Sequence, residues 1–269
     1  MKAAILDMYD GTKNLGMNAI LEIIGRYPEI EVEVFDVRSK WEIPSLDYDL
    51  YLSTGGPGSP LDGDGIWERA FYFLMDRVWQ HNQNYADKKY AFFICHSFQM
   101  ICHYLSLGSV VHRRNQSLGV FPVTKTKEGL KEPMLEALNK KFYVADARRW
   151  QFIQPNKERM KRLGCKVLAY EKERFHVPFE RAVMAMRFSP EWVGVQFHPE
   201  ASSKDMISHF SKEEVASMVI KERSEKRYRK IMDGLENYSQ ELDMTYKTIL
   251  PFFLEDALAN FRKSQREDS

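Results

Sequence analysis

Apolar residues recur along this chain with two different periods, and the alternation between them predicts its elements. Residues 2–8 form a nearly unbroken apolar run, as in a strand covered on both faces. Asp10-Gly11-Thr12 are turn residues. A helix from about Leu15 to Arg26 follows, with Leu15, Ala19, Ile20 and Ile23 facing inward. From Ile30 to Val37, Val32, Val34 and Phe35 alternate with charge as a second strand, and Asp49 to Ser53 is a third. A helix from Ile66 to about Asn82 carries the stripe Phe71, Leu74, Met75, Val78 and Trp79. Then Ala91-Phe92-Phe93-Ile94 runs apolar into Cys95. Beyond it Phe98, Met100, Ile101, Tyr104 and Leu105 take helical spacing.

The second half is richer in strands. Val110–His112 and Val120–Val123 read as strands on either side of an Arg113-Arg114-Asn115 turn. Phe142–Asp146, Lys166–Tyr170, Ala182–Met186 and Trp192–Phe197 read as four more. The strand–helix–strand rhythm predicts an α/β fold, a mostly parallel sheet with helices on both faces. In such sheets the reactive site lies beyond the carboxyl ends of the strands. After residue 202, Tyr228, Ile231, Leu235, Tyr238, Leu242, Tyr246, Ile249 and Phe253 recur three and four apart among charges, as an amphipathic helix or helix pair. The charge run Lys221 to Lys230 is its solvated face. The expected division is an α/β domain over 1–202, a helical extension over 203–247, and a closing helix and tail over 248–269. The extension packs on the domain's own surface, forms a homodimer interface, or covers the site.

Composition narrows the function classes. With 39 Lys and Arg against 38 Asp and Glu, no global field draws the chain to nucleic acid or an anionic membrane. Three widely spread cysteines argue for a reducing compartment rather than a disulfide framework. No stretch approaches the roughly 18 apolar residues of a membrane span, so a cytoplasmic location is expected. His81, His103, His112 and His176 read as surface or rim histidines. No pair of them has metal-ligand spacing, so neither metal nor cofactor is expected.

Three stretches carry candidate chemistry. Cys95 stands at a strand-to-helix joint, where a side chain projects from the sheet edge toward the first free N–H groups of a helix. Such donors stabilise a thiolate and can hold an oxyanion. Taken alone, Cys95 reads first as a buried, inert thiol. Ser53-Thr54-Gly55-Gly56-Pro57-Gly58-Ser59-Pro60 packs three glycines into a rigid loop that lets backbone approach a ligand. It lacks the Gly-Lys-Ser/Thr of a phosphate-binding loop. His198-Pro199-Glu200 ends a strand with an imidazole and a carboxylate on the same side of the chain. A carboxylate so placed orients the imidazole and raises its basicity.

In this order, Ser-Thr-Gly-Gly-Pro-Gly-Ser-Pro, Ile-Cys-His-Ser-Phe-Gln and Val-Gly-Val-Gln-Phe-His-Pro-Glu resemble the class I, triad-type glutamine amidotransferases, as in the glutaminase module of GMP synthase. The resemblance covers roughly residues 2–202 and a final helix near 248–262. It implies a flavodoxin-like fold and hydrolysis of glutamine through a γ-glutamyl thioester, with ammonia as the useful product. It implies Cys95 as nucleophile, His198 as general base and Glu200 as its orienter. The oxyanion hole would be the N–H groups of His96 and Gly56, and the substrate would be held by Gly55, Gly58 and Gln99.

The chain departs from the family pattern in two places. Phe93 and Ser97 replace the glycines two before and two after the nucleophile, and Phe93 could move the elbow or narrow the pocket. The Ser-His-Gly-Asp-like segment that meets the substrate's amino-acid end reads Val144-Ala145-Asp146-Ala147-Arg148-Arg149 here. Asp146 would then take the α-amino group and an arginine the α-carboxylate. The altered shell also admits a γ-glutamyl peptide or amine hydrolase, or a degenerate fold serving as a binding subunit. As 269 residues leave no room for an ATP-dependent acceptor domain, the expected partner is a separate synthetase.

Overall fold

Five parallel strands run through the centre of the molecule. They are β1 (Lys2–Asp7), β2 (Glu31–Asp36), β3 (Leu50–Ser53), β4 (Tyr90–Ile94) and, from far along the chain, β9 (Trp192–Val195). In space their order is β2-β1-β3-β4-β9. The sheet continues through antiparallel neighbours β8 (Val183–Arg187), β7 (Lys166–Glu171), β5 (Ser109–Lys125) and β6 (Lys141–Ile153). This computed structural model describes residues 1–12, 14–63, 65–173 and 180–267. His176 lies outside the described residues.

The α/β fold with helices on both faces is the one expected. Its antiparallel half arises where strands follow one another with no α-helix between them, from β5 to β6 and from β7 to β9, so no parallel crossover is available. On one face α1 (Leu15–Ile24) and α8 (Ser239–Glu267) pack over Ile5, Phe92 and Val193. On the other, α2 (Trp67–Asn84) and α3 (His96–Tyr104) pack over Leu6, Phe93 and Trp192. A short helix, α4 (Lys157–Leu163), joins β6 to β7. Three more, α5 (Ser203–Phe210), α6 (Glu213–Glu222) and α7 (Glu225–Asn237), close a third cluster around Val219, Ile231 and Leu235.

Two local expectations are corrected. Leu15 is exposed, because it lies in the first turn of α1, and the buried residues of that helix are Ile20, Ile23 and Ile24. The strands expected on either side of Arg113-Arg114-Asn115 are one strand, β5. Its pairing with β6 shifts register: β5 advances from His112 to Ser117 while β6 moves only from Trp150 to Arg148. The extra residues bulge out rather than reverse the chain, which re-aims them. The C-terminal stripe is used within the chain. Ile231, Leu235, Leu242, Tyr246, Ile249 and Phe253 are buried, with α7 against β5 and α8 against β6.

Phe93 is accommodated by its cross-strand partner. It pairs with Gly194 in the β4–β9 register and is fully buried, its ring against Phe188 and Trp192. It therefore fills the core on the α2–α3 face and leaves the cleft alone. A Cβ on Gly194 would lie 2.8 Å from Phe98 Cδ2, 3.0 Å from Phe188 Cε2 and 3.3 Å from Phe93 Cβ. The bulk two residues before Cys95 is matched by a missing side chain opposite. Gly194→Ala is expected to lower stability by about 1–3 kcal/mol in urea unfolding, as overpacking does in a dense core.

Candidate active site

Three neighbouring parallel strands, β3, β4 and β9, end at one edge of the sheet, and the three candidate stretches follow directly from them. Cys95 joins β4 to α3 with φ 48° and ψ −93°. A non-glycine residue at such angles costs of order 1–3 kcal/mol and persists only where its surroundings enforce it. The enforcement is visible. Cys95 N–H donates to Val195 O at 2.8 Å, and Gln99 N–H to Cys95 O at 3.1 Å. Ser97 Oγ accepts from Ile94 N–H at 3.0 Å and donates to Ser53 O at 2.8 Å. Ser97 thus fastens the end of β3 to the elbow.

His198 arrives from β9. Ile94 pairs with Val195, so three residues later the chain passes beside Cys95. There His198 N–H donates to Ala145 O at 2.9 Å, which anchors it to β6. Its Nδ1 donates to Glu200 Oε1 at 2.8 Å, and Cys95 is near enough to act on the same ring. With Nδ1 engaged, Nε2 is the nitrogen left for sulfur. Glu200 is buried, and its Oε2 has no hydrogen-bond partner among the described residues. Burial alone would lower the imidazole's pKa. The charge of Glu200 and the contact with Cys95 outweigh it, so His198 is held well above its ordinary range.

The glycine loop closes over this pair. A Cβ on Gly55 would lie 2.9 Å from His198 Cε1 and 3.7 Å from Cys95 Cβ, so the missing side chain lets imidazole and thiol meet. Gly56 has no space for a Cβ either, which would stand 2.3 Å from Met8 O. Thr54 shapes the loop, its Oγ1 accepting from Met8 N–H at 2.9 Å and donating to Gly55 O at 2.8 Å. Arg38 braces it from outside, donating to Pro57 O at 2.7 Å.

An open cleft of about 530 Å³ leads to the sulfur. Gly56, Gly58, Cys95, His96 and Gln99 line one wall, and Gln116, Ala147, Arg148, Arg149 and Trp150 the other. Gly55 faces the imidazole instead. Gln99 Nε2 donates to Gln196 Oε1 at 3.0 Å, and Gln196 Nε2 approaches Cys95 Sγ at 3.7 Å. The His96 side chain is buried beside Trp67, away from the anion-binding role expected of its N–H. Burial first, then the nearby Arg38 charge, lower its pKa to about 3, so the ring is neutral.

Asp146 does not reach the cleft. Both of its oxygens accept from Arg148 Nε, at 2.9 and 3.0 Å. Arg148 also donates from Nη2 to Glu171 at 3.0 Å, while its Nη1 is buried with no partner among the described residues. Arg148, Gln196 and the Ser97 latch were not assigned from sequence. A signal was present for Arg148, an acid and a base two apart on a strand, hence on one side of it. Among the described residues no group of three or more His, Cys, Asp and Glu side chains could hold a metal, and no helix is long and apolar enough to cross a membrane.

Comparison with known proteins bears on the whole chain. The family model described as glutamine amidotransferase class-I matches residues 4–218. No curated protein matches in sequence. Among solved structures, a glutamine amidotransferase from Thermotoga maritima is 17% identical with a TM-score of 0.62, over 95% of this chain and 97% of that one. One from Methylobacillus flagellatus is 14% identical with a TM-score of 0.64, over 97% and 93%. The glutaminase domain of a Trypanosoma brucei CTPS, solved with bound acivicin, is 14% identical with a TM-score of 0.57, over 90% and 97%. At these identities the structural likeness shows the fold alone.

The neutral, buried His96 has a consequence for acid stability. Between pH 6.5 and about 3 the unfolded chain binds a proton at this ring that the folded chain refuses. Its stabilising contribution is therefore complete above pH 6.5 and is lost as pH falls through that window. Urea unfolding across this range should show a component of acid destabilisation that disappears in His96→Phe.

Proposed function

This chain belongs to the class-I glutamine amidotransferase family, and we propose that it hydrolyses a glutamine side-chain amide through a thioester on Cys95. The observation that carries this reading is a buried carboxylate bonded to the His198 imidazole at 2.8 Å, with Cys95 and that ring both against Gly55. The strongly basic His198 takes the thiol proton on Nε2, and the resulting thiolate attacks the γ-carbonyl carbon. The oxyanion is received by the N–H groups of His96, at the head of α3, and Gly56. As the tetrahedral intermediate collapses the C–N bond breaks, and His198 returns its proton to the leaving nitrogen, which departs as ammonia. Water, deprotonated by the same imidazole, then cleaves the thioester to release the carboxylate product and restore the thiol. Each turnover consumes one amide and one water and gives one carboxylate and one ammonia.

Gln196 and Gln99 brace the sulfur from the sheet side. The unpartnered Nη1 of Arg148 is the donor best suited to the substrate's α-carboxylate, since Asp146 and Glu171 already hold the rest of its guanidinium. Ammonia would pass to a separate ATP-dependent synthetase, a reading supported by the family to which the chain belongs.

A glutamine-like chloroketone, used both with a free and with an acetylated α-nitrogen and followed by intact mass, is expected to give a single adduct with at least one of the two, absent in Cys95→Ala. His198→Asn should slow labelling by about 10²–10⁴-fold. Failure to label Cys95 in the wild type would overturn the reading. Arg148→Lys keeps the charge but loses the fork. It is expected to raise KM for glutamine by about tenfold or more while leaving alkylation of Cys95 by uncharged iodoacetamide unaltered.

A further inference from the structure

The wall of the cleft beyond Arg148 has no role in the chemistry just described, yet it is strongly and asymmetrically charged. The β5 bulge carries Gln116 to the cleft and Arg114 to the groove beside it, and β6 supplies Arg149. The helical extension supplies the third cation. Arg223, at the end of α6, donates from Nη2 to Gln116 Oε1, and Gln116 and Arg149 line both the catalytic cleft and a groove of about 290 Å³ that adjoins it. Among the described residues of that groove Glu222 is the one carboxylate, against Arg114, Arg149 and Arg223. Arg113 is also there, but its charge is met by Glu171 at 3.2 Å. These cations repel one another. Burial first, and then the charges of Arg149 and Arg227, lower the pKa of Arg223, with Glu222 offsetting part of this.

The amino-acid end of the substrate meets an environment that suits only one of its two charges. Its carboxylate has Arg148 Nη1. An α-ammonium has nothing comparable, for no Asp or Glu among the described residues lines the cleft, and both oxygens of Asp146 accept from Arg148 Nε. A free ammonium would instead stand beside Arg149. With an unsubstituted side-chain amide at Cys95 and the carboxylate at Arg148, the α-nitrogen is the point from which a glutamine can extend into the arginine groove.

We propose that the substrate is an N-acylated glutamine whose acyl group carries a carboxylate or phosphate, held by Arg149 and Arg223 at the mouth of the cleft. The helical extension is then part of the substrate site. This inference rests on the glutaminase reading above and narrows it. Acylation removes the ammonium charge that the cleft does not accommodate, and the terminal anion relieves the repulsion among the arginines through charge-assisted hydrogen bonds.

The test is calorimetric binding to full-length Cys95→Ala protein, in which no turnover intervenes. The probes are N-acetyl-glutamine, N-succinyl-glutamine and N-phosphonoacetyl-glutamine. The succinyl or the phosphonoacetyl compound should bind about tenfold or more tightly than the acetyl compound at low salt, and the stronger of the two identifies the anion. Adding Arg149→Ala and Arg223→Ala should abolish the difference, whereas Arg149→Lys with Arg223→Lys should keep part of it. Equal affinities for all three probes, no binding of any, or a preference that survives both alanine substitutions would overturn the proposal. Labelling of wild-type Cys95 by the chloroketone of N-acetyl-glutamine, which carries neither an α-ammonium nor a terminal anion, stands apart from these outcomes. If it succeeds while the anionic probes show no advantage, the glutaminase reading holds and the acyl-group inference alone falls.

Discussion

The structure depends on the parallel pairing of β4 with β9. This ladder joins segments about a hundred residues apart in sequence, and its register, Ile94 opposite Val195, sets Cys95 and His198 side by side at one sheet edge. A slip of one residue would turn each side chain to the opposite face of the sheet and separate sulfur from imidazole. The register is held by burial on both faces. Phe92 and Val193 belong to one core cluster and Phe93 and Trp192 to the other. The geometry of the Cys95–His198 site and the packing of the core are therefore the same interaction seen from two sides.

From that pairing the remaining features follow in order. The elbow at Cys95 places a residue at a positive φ, and Ser97 holds it by bonding both Ile94 and Ser53. The loop after β3 can close over it because Gly55 leaves room for the His198 ring. The bridge from Ala145 to His198 brings β6 alongside, and with it the buried Asp146–Arg148 pair. The carboxylate of that pair fixes the guanidinium, whose remaining nitrogen, Nη1, is buried with no partner among the described residues. A buried pair like this contributes little net stability, but it orients a charge that would otherwise be mobile.

Much of this was legible in the sequence. The apolar runs at 2–8, 49–53 and 91–94 are the parallel strands, because a strand covered on both faces has no polar side to show. Cys95, His198 and Glu200 could be placed at strand ends for the same reason. What local pattern could not show were compensations across the sheet. Phe93 reads as an obstruction until Gly194 is seen opposite it, and Ser97 reads as a neutral replacement until its two hydrogen bonds are seen. Asp146 reads as a ligand for an ammonium, yet its nearest cation is two residues away on its own strand. The bulge at Arg113–Gln116 carries turn-like residues, and only the pairing of β5 with β6 reveals that the strand continues.

Glu200 and Cys95 together hold the His198 imidazole in a strongly basic state beside the thiol. Nitrogen-15 NMR titration of the histidines tests it most directly. His198 is expected to titrate well above the ordinary histidine range near 6.5 and to fall toward it in Glu200→Gln. A His198 resonance that titrates at or below that range, and does not respond to Glu200→Gln, would contradict it.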